Sequence, residues 1–278
     1  SDEEYRNNLY SLWTNYCVSE SYEPGSTFKP VTVASALAEG VVKDGDTYVC
    51  KGFETVADYK LKCHVFSTIG SHGSLTVEQA LMNSCNPYMI HLALEMGNSR
   101  FAYYQSLFGF GKITGIDLPG ETTGIVYGDR MTTIDAACNS FGQTINVNMM
   151  QMMAAYCSII NGGMLYQPHI VKRIESANGE VVKEYKANLV RQTITASTSK
   201  LLRRYLKNTV EEGTAKKAGV TGYSVAGKTG TAQKGDRKDN KWIISFIGHA
   251  PAENPKFAIY VVIDEPYGTT GTSGSSDR

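Results

Sequence analysis

The spacing of apolar residues is helical over the first part of this 278-residue chain. After the turn Glu23–Gly25, a run of apolar residues has the period of a helix. Its members are Val31, Val33, Ala34, Leu37 and Ala38. Pro30 suits the first turn of such a helix, because a backbone N–H there has no intrahelical acceptor. The pattern predicts a helix that starts at Ser26 and runs to Gly40.

Two more helices are predicted from their start and stop signals. Thr76 and Gln79 form a capping-box pattern, and the Asn86-Pro87 step interrupts the helix that follows before it resumes and closes at Gly97. Residues 84–86 are therefore expected on a helix–helix connection. The segment Ser140–Asn161 carries the apolar stripe of another helix.

The apolar period then changes to that of strands. Tyr223–Gln233, Trp242–Ala250 and Lys256–Asp264 are β-like segments joined by turns, which favours an antiparallel meander. Helices first and strands later predict an α+β fold, with helices packed on an antiparallel β-sheet. The tail Gly268–Arg278 is rich in Gly, Ser and Thr and is expected to be flexible.

Composition excludes some classes of partner. The chain has 27 basic and 27 acidic side chains, so its formal net charge is zero and it lacks the basic footprint of a nucleic-acid-binding protein. No apolar stretch approaches the roughly 20 residues of a membrane span. Residues 1–10 are polar and acidic, so we do not expect them to be a signal peptide. With 42% hydrophobic residues, the chain can build a sizeable core without a disulfide framework.

Three short motifs occur in an order that is typical of one kind of chemistry. They are Ser26–Lys29 (Ser-Thr-Phe-Lys), Ser84–Asn86 (Ser-Cys-Asn) and Lys228–Thr231 (Lys-Thr-Gly-Thr). A single Ser-x-x-Lys occurs by chance in many surface helices, so it carries little weight alone. The ordered set is typical of penicillin-binding proteins and class A β-lactamases, and it predicts an acyl-serine active site.

The residue types suit nucleophilic catalysis. A serine hydroxyl needs an adjacent base, and Lys29 lies three residues after Ser26 on the predicted helix, within reach of its oxygen. The helix N-terminus and a second cation, for which Lys228 is the candidate, are expected to lower the pKa of Lys29 so that it acts as the base. Ser84 is expected to relay the proton.

The other motif residues suit substrate binding. Asn86 carries an amide donor and an acceptor, which suit a substrate peptide bond. Backbone N–H groups of Ser26 and of a residue on the third-motif strand are expected to form the oxyanion hole. The residues expected to bind the substrate and its carboxylate on that strand are Lys228, Thr229, Gly230 and Thr231.

The sequence resembles class B penicillin-binding proteins, the transpeptidases of bacterial cell-wall synthesis, over most of its length. Further strings similar to that family are Glu23–Lys29, Gly109–Gly111, Thr114–Glu121, Asn161–Gly163 and Ala226–Gln233. Asn83–Pro87 and His72-Gly73 resemble the Gram-positive elongation and sporulation branch within it.

The resemblance implies a D,D-transpeptidase that cross-links peptidoglycan stem peptides. Ser26 would be acylated by a D-Ala-D-Ala stem with release of D-alanine, and the amine of a second stem would resolve the acyl-enzyme. β-Lactam antibiotics would acylate the same serine, and catalysis would need no cofactor. The resemblance also implies partners in the cell-wall synthesis complex, no nucleic acid partner, and a location on the extracytoplasmic face of the bacterial cell membrane.

The family fold is longer than this sequence. By the resemblance, two strands precede the serine helix and a helix follows the last strand, whereas only 25 residues precede Ser26 here. We therefore expect a fold resembling the penicillin-binding protein and serine β-lactamase fold but truncated at both ends. Residues 1–267 are predicted to be a transpeptidase domain taken from a longer chain that carries the membrane anchor, and residues 268–278 a tail.

Two rival functions share the motifs. A β-lactamase needs a deacylating carboxylate between the second and third motifs, and no Glu-x-x-x-Asn string occurs between Asn86 and Lys228. A β-lactam sensor domain, which is acylated without turnover, has the same motif set. Transfer of the acyl group to an acceptor amine would separate both from a transpeptidase.

A candidate metal site lies between the first two motifs. Cys50, Cys63 and His72 are zinc-type ligands within one segment, and Asp58 or His64 is expected to supply a fourth. Zinc there would be structural, because a closed four-ligand shell leaves no position for a substrate. A Cys50–Cys63 disulfide and unpaired thiols are the alternatives.

Cys85 lies inside the second motif, between Ser84 and Asn86. Its neighbours are expected to take the roles that face the active site. Cys85 is therefore predicted to be a small filler that points into the core.

Overall fold

The structure is a computed structural model that describes residues 2–235 and 241–266. Within these residues the helices are α1 (Asp2–Ser11), α2 (Tyr16–Ser19), α3 (Lys29–Glu39), α4 (Val77–Met82), α5 (Asn86–Met96), α6 (Asn98–Leu107), α7 (Thr133–Asn139), α8 (Met149–Ile160) and α9 (Ala196–Glu211). The strands are β1 (Thr47–Cys50), β2 (Phe53–Val56), β3 (Tyr59–Lys62), β4 (Gly73–Thr76), β5 (Met164–Gln167), β6 (Arg173–Glu175), β7 (Val181–Glu184), β8 (Asn188–Gln192), β9 (Ala226–Lys234), β10 (Lys241–Ala250) and β11 (Phe257–Asp264).

The principal sheet is the antiparallel meander that the sequence predicts. Its order is β11-β10-β9, with Ile247 of β10 opposite Lys228 of β9 and Tyr260 of β11. The other strands pair two by two: β1 with β4, β2 with β3, β5 with β8, and β6 with β7. Helix α9 packs on β9 and α8 packs on β11, so the described residues have helices layered on an antiparallel sheet.

The apolar run after Gly25 forms the central helix of the core. Its start differs from the prediction, because residues 25–28 form a 3-10 turn and α3 itself begins at Lys29. Pro30 lies in the first turn of α3, and Gly40 ends the helix with a left-handed φ of +81°. Helix α3 is buried from Lys29 to Ala36 and packs against α5, α8 and α9, so the Ser-Thr-Phe-Lys motif at its start is anchored in the core.

The prediction of one helix over Ser140–Asn161 is wrong in its first half. Helix α8 begins only at Met149, because Gly142 takes a left-handed φ of +80° and Asn148 caps the helix. The side-chain oxygen of Asn148 accepts a hydrogen bond from the backbone N–H of Gln151. The side-chain oxygen of Gln151 accepts one from the backbone N–H of Asn148. This capping box is a sequence signal for the true start of the helix.

The described helices are short. None of them combines the length and apolarity that a membrane span requires. The predicted tail Gly268–Arg278 lies outside the described residues, and the domain bounds 1–267 stay a prediction.

Candidate active site

Ser26 lies on the 3-10 turn before α3, and this turn is in direct contact with β9. A β-carbon on Gly25 would stand 2.6 Å from the carbonyl oxygen of Thr231, and one on Gly230 would stand 2.8 Å from the Cγ2 atom of Thr27. Gly25 also has a left-handed φ of +56°, which glycine adopts without steric cost. The turn that carries the first motif and the strand that carries the third motif are therefore in close contact.

Ser84 lies on the connection between α4 and α5, as predicted. The Thr76 and Gln79 capping box starts α4, and α5 begins at Asn86. Ser84 has a left-handed φ of +54°, a conformation that costs a non-glycine residue roughly 1–3 kcal/mol. Its Oγ donates a hydrogen bond to the Oγ of Ser26 over 3.0 Å, so the second motif reaches the first.

Lys29 is fully buried and points at the second motif. Its Nζ lies 2.6 Å from the carbonyl oxygen of Ser84, 2.8 Å from the Oγ of Ser84 and 2.7 Å from the Oδ1 of Asn86. Burial lowers the pKa of Lys29 to about 8. The hydrogen-bond chain thus runs from Lys29 through Ser84 to Ser26.

Asn86 is held at both ends of its amide group. Its Oδ1 accepts the bond from Lys29, and its Nδ2 donates to the carbonyl oxygen of Lys62 over 3.3 Å. Because both atoms have partners, the amide orientation is fixed. The second N–H of Nδ2 remains as a donor for a substrate.

Lys228 lies on the inward-facing side of β9 and is wholly buried. Its Nζ donates to the carbonyl oxygen of Thr229 over 3.1 Å and to the Oγ1 of Thr214 over 3.4 Å. Burial, and then the charge of Lys29, lower the pKa of Lys228 well below its usual range. Thr229 and Thr231 are half-buried on the opposite side of the strand. Sequence reasoning missed Thr214, which belongs to none of the three motifs.

The candidate metal ligands come together, but with a different fourth member. The sulfur atoms of Cys50, Cys63 and Cys85 and a ring nitrogen of His72 all lie within 4.8 Å of one another. The Nδ1 of His72 is 3.5 Å from the sulfur of Cys63 and 3.9 Å from that of Cys50. The expected fourth ligand, Asp58 or His64, is not a member of this group.

The prediction for Cys85 is therefore only half right. Cys85 is fully buried, as a core filler would be, but its sulfur belongs to the Cys/His cluster formed by Cys50, Cys63, His72 and Cys85. The presence of Cys50 and Cys63 between the first two motifs was the only sequence hint that Cys85 belongs to such a cluster. No local pattern predicts that these cysteines approach Cys85.

The donor set suits a thiophilic metal ion. Contact with Cys85, and then with His64 and His72, lowers the pKa of the Cys63 thiol well below its usual range. The contact with Cys63 and burial raise the pKa of the Cys85 thiol. Three thiols and one imidazole are the donor types of the Cys₃His sets found in zinc sites.

The Cys/His cluster adjoins the serine site through the backbone. Cys85 is the residue between Ser84 and Asn86, and Cys63 follows Lys62, whose carbonyl oxygen accepts the amide of Asn86. The cluster therefore supports the second motif from two sides.

A buried lysine joined through one serine to another serine at a helix start defines a serine acyl-transfer site. The family model described as penicillin binding protein transpeptidase domain matches residues 1–278. The chain belongs to this family, and the resemblance inferred from the motifs is confirmed.

Two curated relatives show the closeness of the match. The chain is 41% identical to Stage V sporulation protein D of Bacillus subtilis (strain 168) over 267 residues, which cover 94% of this chain and 41% of that protein. It is 32% identical to the peptidoglycan D,D-transpeptidase FtsI of Escherichia coli (strain K12) over 257 residues, which cover 91% of this chain and 41% of the relative. The chain thus spans 41% of the length of these relatives.

Solved structures share the fold. The D,D-transpeptidase domain of a peptidoglycan glycosyltransferase from Eggerthella lenta has a TM-score of 0.84 at 28% identity, covering 95% of this chain and 66% of that one. Penicillin binding protein 3 from Mycobacterium tuberculosis, complexed with aztreonam, has a TM-score of 0.83 at 28% identity. The match covers 91% of this chain and 58% of that one. The predicted α+β fold class is confirmed.

Proposed function

We propose that this chain is the catalytic part of a D,D-transpeptidase that cross-links peptidoglycan stem peptides through an acyl-enzyme on Ser26. The observation that carries the proposal is the buried hydrogen-bond chain from Lys29 through Ser84 to Ser26. A neutral Lys29 is the base that an unactivated serine hydroxyl lacks. The relatives named as peptidoglycan D,D-transpeptidases support the same reaction class.

In the first half-reaction, the Oγ of Ser26 attacks the carbonyl carbon between the two D-alanines. Its proton passes to the neutral amine of Lys29 through Ser84, whose hydroxyl turns from donating to Ser26 to donating to Lys29. Backbone N–H groups of Ser26 and of β9 stabilise the oxyanion. The C–N bond then breaks, and the departing D-alanine amine takes the proton. In the second half-reaction, the amine of another stem peptide attacks the ester and loses a proton to the same base. The C–O bond to Ser26 then breaks, and the base returns the proton to the Oγ of Ser26.

Substrate binding falls to the second and third motifs. Asn86, fixed by Lys29 and Lys62, presents an amide N–H to the substrate peptide bond. The terminal carboxylate of the acyl donor would lie along the edge of β9, the outer strand of the principal sheet, where Lys228 from one side of the strand and the hydroxyls of Thr229 and Thr231 from the other would bind it. Gly230 leaves room for close approach of the turn that carries Ser26.

Covalent labelling by a penicillin tests this proposal. Incubation followed by intact-mass spectrometry is expected to show one adduct, mapped by peptide analysis to Ser26. Ser26→Ala should abolish the adduct. Ser35→Ala should retain it, because Ser35 is a buried serine further along α3 whose hydroxyl donates to the carbonyl of Val31. An adduct that persists in Ser26→Ala, or that forms on Cys85, would contradict the assignment.

Acyl transfer separates the transpeptidase from its rivals. With a D-Ala-D-Ala thioester or stem-peptide donor and an added D-amino acid acceptor, the wild-type chain should form the exchanged product. Rapid hydrolysis of the penicillin adduct would indicate a β-lactamase, and a stable adduct with no transfer from any donor would indicate a sensor domain.

We also propose that the Cys/His cluster binds a structural zinc ion. The ligands would be Cys50, Cys63, His72 and Cys85, which lie within 4.8 Å of one another. A closed shell of four protein ligands supplies no open position for chemistry, so the ion would cross-link the loop and leave catalysis to the serine site. Cys85 would tie that cross-link to the second motif.

Elemental analysis of protein purified without added metal tests the zinc proposal. About one zinc per chain is expected, and strong chelation should lower the thermal unfolding temperature before it slows acylation. Zinc well below one per chain, with a Cys50–Cys63 disulfide detected by mass, would replace this proposal with the oxidised alternative.

The setting of the whole protein is likewise a proposal, since the chain spans 41% of its relatives. A reaction on peptidoglycan places the domain on the extracytoplasmic face of the bacterial membrane, with other cell-wall synthesis proteins as partners.

A further inference from the structure

Thr214 joins the second and third motifs of the active site. It lies in the turn after α9, and both its backbone N–H and its Oγ1 donate to the carbonyl oxygen of Met82, over 3.0 and 3.1 Å. Met82 is the last residue of α4, two positions before Ser84. The same Oγ1 accepts the hydrogen bond from Lys228 over 3.4 Å.

The close approach of this turn depends on its glycine. A β-carbon on Gly213 would stand 2.6 Å from the carbonyl oxygen of Met82, so a larger residue would push Thr214 away from α4. Thr214 is therefore held by the backbone on both of its polar groups, independently of Lys228.

The direction of these bonds selects a hydrogen-bond donor as the partner. The Thr214 hydroxyl has one proton, which Met82 receives, so the oxygen faces Lys228 with a lone pair only. It accepts an N–H of the Lys228 side chain. The carbonyl of Thr229 is a second fixed acceptor, so a protonated Lys228 has two of its three N–H groups bonded to described residues.

Lys228 needs such support because its surroundings oppose its charge. It is wholly buried, and the charged group that acts on it among the described residues is another cation, Lys29. A hydroxyl that can only accept stabilises the protonated form and fixes the direction of the remaining N–H.

We propose that Thr214 is a positioning residue that orients the Lys228 ammonium toward the carboxylate of the acyl donor. This inference rests on the proposed transpeptidase function. Through it, Thr214 sets how strongly the site prefers a donor with a free carboxylate over a neutral analogue of the same shape.

Acylation rates with benzylpenicillin and with its methyl ester measure that preference. The second-order rate constants are followed by intact-mass spectrometry, and their ratio within one protein preparation does not depend on the folded fraction. Thr214→Val should lower the carboxylate-to-ester ratio about tenfold, as expected for loss of one hydrogen bond to a charged group. Thr214→Ser should restore the wild-type ratio, because it keeps the hydroxyl.

Thr209→Val is the matched control. Thr209 is also a buried threonine whose hydroxyl donates to a backbone carbonyl, that of Tyr205, but its hydroxyl makes no bond to Lys228. It should keep the wild-type ratio whatever it does to stability. If Thr214→Val is not recovered folded, Thr214→Ala serves in the same comparison.

An unchanged ratio in Thr214→Val, or an equal loss with both compounds, would show a merely structural role and overturn the inference. A wild-type ratio near one would overturn it as well, because Lys228 would then not select the carboxylate. Failure of the wild type to be acylated at Ser26 by either compound would overturn the proposed function and this inference together.

Discussion

The carbonyl oxygen of Thr231 lies 2.6 Å from the position that a β-carbon on Gly25 would occupy. Gly25 directly precedes Ser26, and Thr231 is the last residue of the third motif. Their contact brings a helix start and a strand, which lie more than two hundred positions apart in sequence, close enough to share one substrate.

Gly25→Ala is expected to damage the active site more than the fold. The added methyl group would push the turn of Ser26 away from β9. A displacement of about 1 Å costs about a hundredfold in rate. The acylation rate with a penicillin measures this loss. Gly40→Ala is the control, because Gly40 also has a left-handed φ but no atom within 4 Å of a β-carbon. Equal acylation rates in the two variants would contradict the role of the contact.

Substitutions of Lys29 and Lys228 are expected to change the kinetics of acylation in different ways. Lys29→Ala removes the base, so acylation by a penicillin should fall by about 10²–10⁴-fold. Lys228→Ala removes a carboxylate contact, so it should raise the penicillin concentration needed for half-maximal rate and retain part of the limiting rate. Saturation kinetics for both variants, with thermal unfolding to confirm that each is folded, provide the measurement. No loss in Lys29→Ala, or the same kinetic pattern in both, would refute this division.

The acylation rate is expected to depend on the pKa of Lys29. Burial lowers that pKa from the usual lysine value to about 8, and only the neutral amine can accept the serine proton. At pH 7 about a tenth of the molecules carry neutral Lys29, so the rate constant should rise with pH, reach half of its maximum near pH 8 and level off about one pH unit higher. Acylation measured by mass between pH 6 and pH 9.5 tests this. A flat profile, or a rise that begins only near pH 10, would exclude Lys29 as the base.

Removal of Cys85 should disturb the metal content. Cys85→Ala takes away one of four clustered donors, so bound zinc after dialysis should fall well below the wild-type content and the unfolding temperature should drop. Cys157→Ala, at a cysteine of α8 outside the Cys/His cluster, should keep the wild-type zinc content. Full zinc in Cys85→Ala would mean that another residue, such as His64, completes the site.

Local sequence signals predicted most of the elements near the active site. The capping box at Thr76, the Asn86-Pro87 step and the strand period after Tyr223 all act over a few residues, and each gave the element that the structure contains. The failures were also local. The apolar stripe begins at Met149, so the stretch from Ser140 to Asn148 was included in the predicted helix without support from it. The 3-10 turn before Lys29 could not be distinguished from the first turn of a helix.

The sequence by itself determined which chemistry we propose, because the residue types of the three motifs suit a nucleophile, a base and contacts to a carboxylate. Tertiary structure decided which atoms meet. Lys29 contacts Ser84 and Asn86, which are more than fifty positions away in sequence. Cys85 joins cysteines and a histidine from another segment, and Thr214 accepts a hydrogen bond from Lys228. No local sequence pattern specifies any of these contacts. Such contacts depend on how helices pack on the sheet, and packing sums many weak interactions over the whole chain, so no short string of residues encodes it.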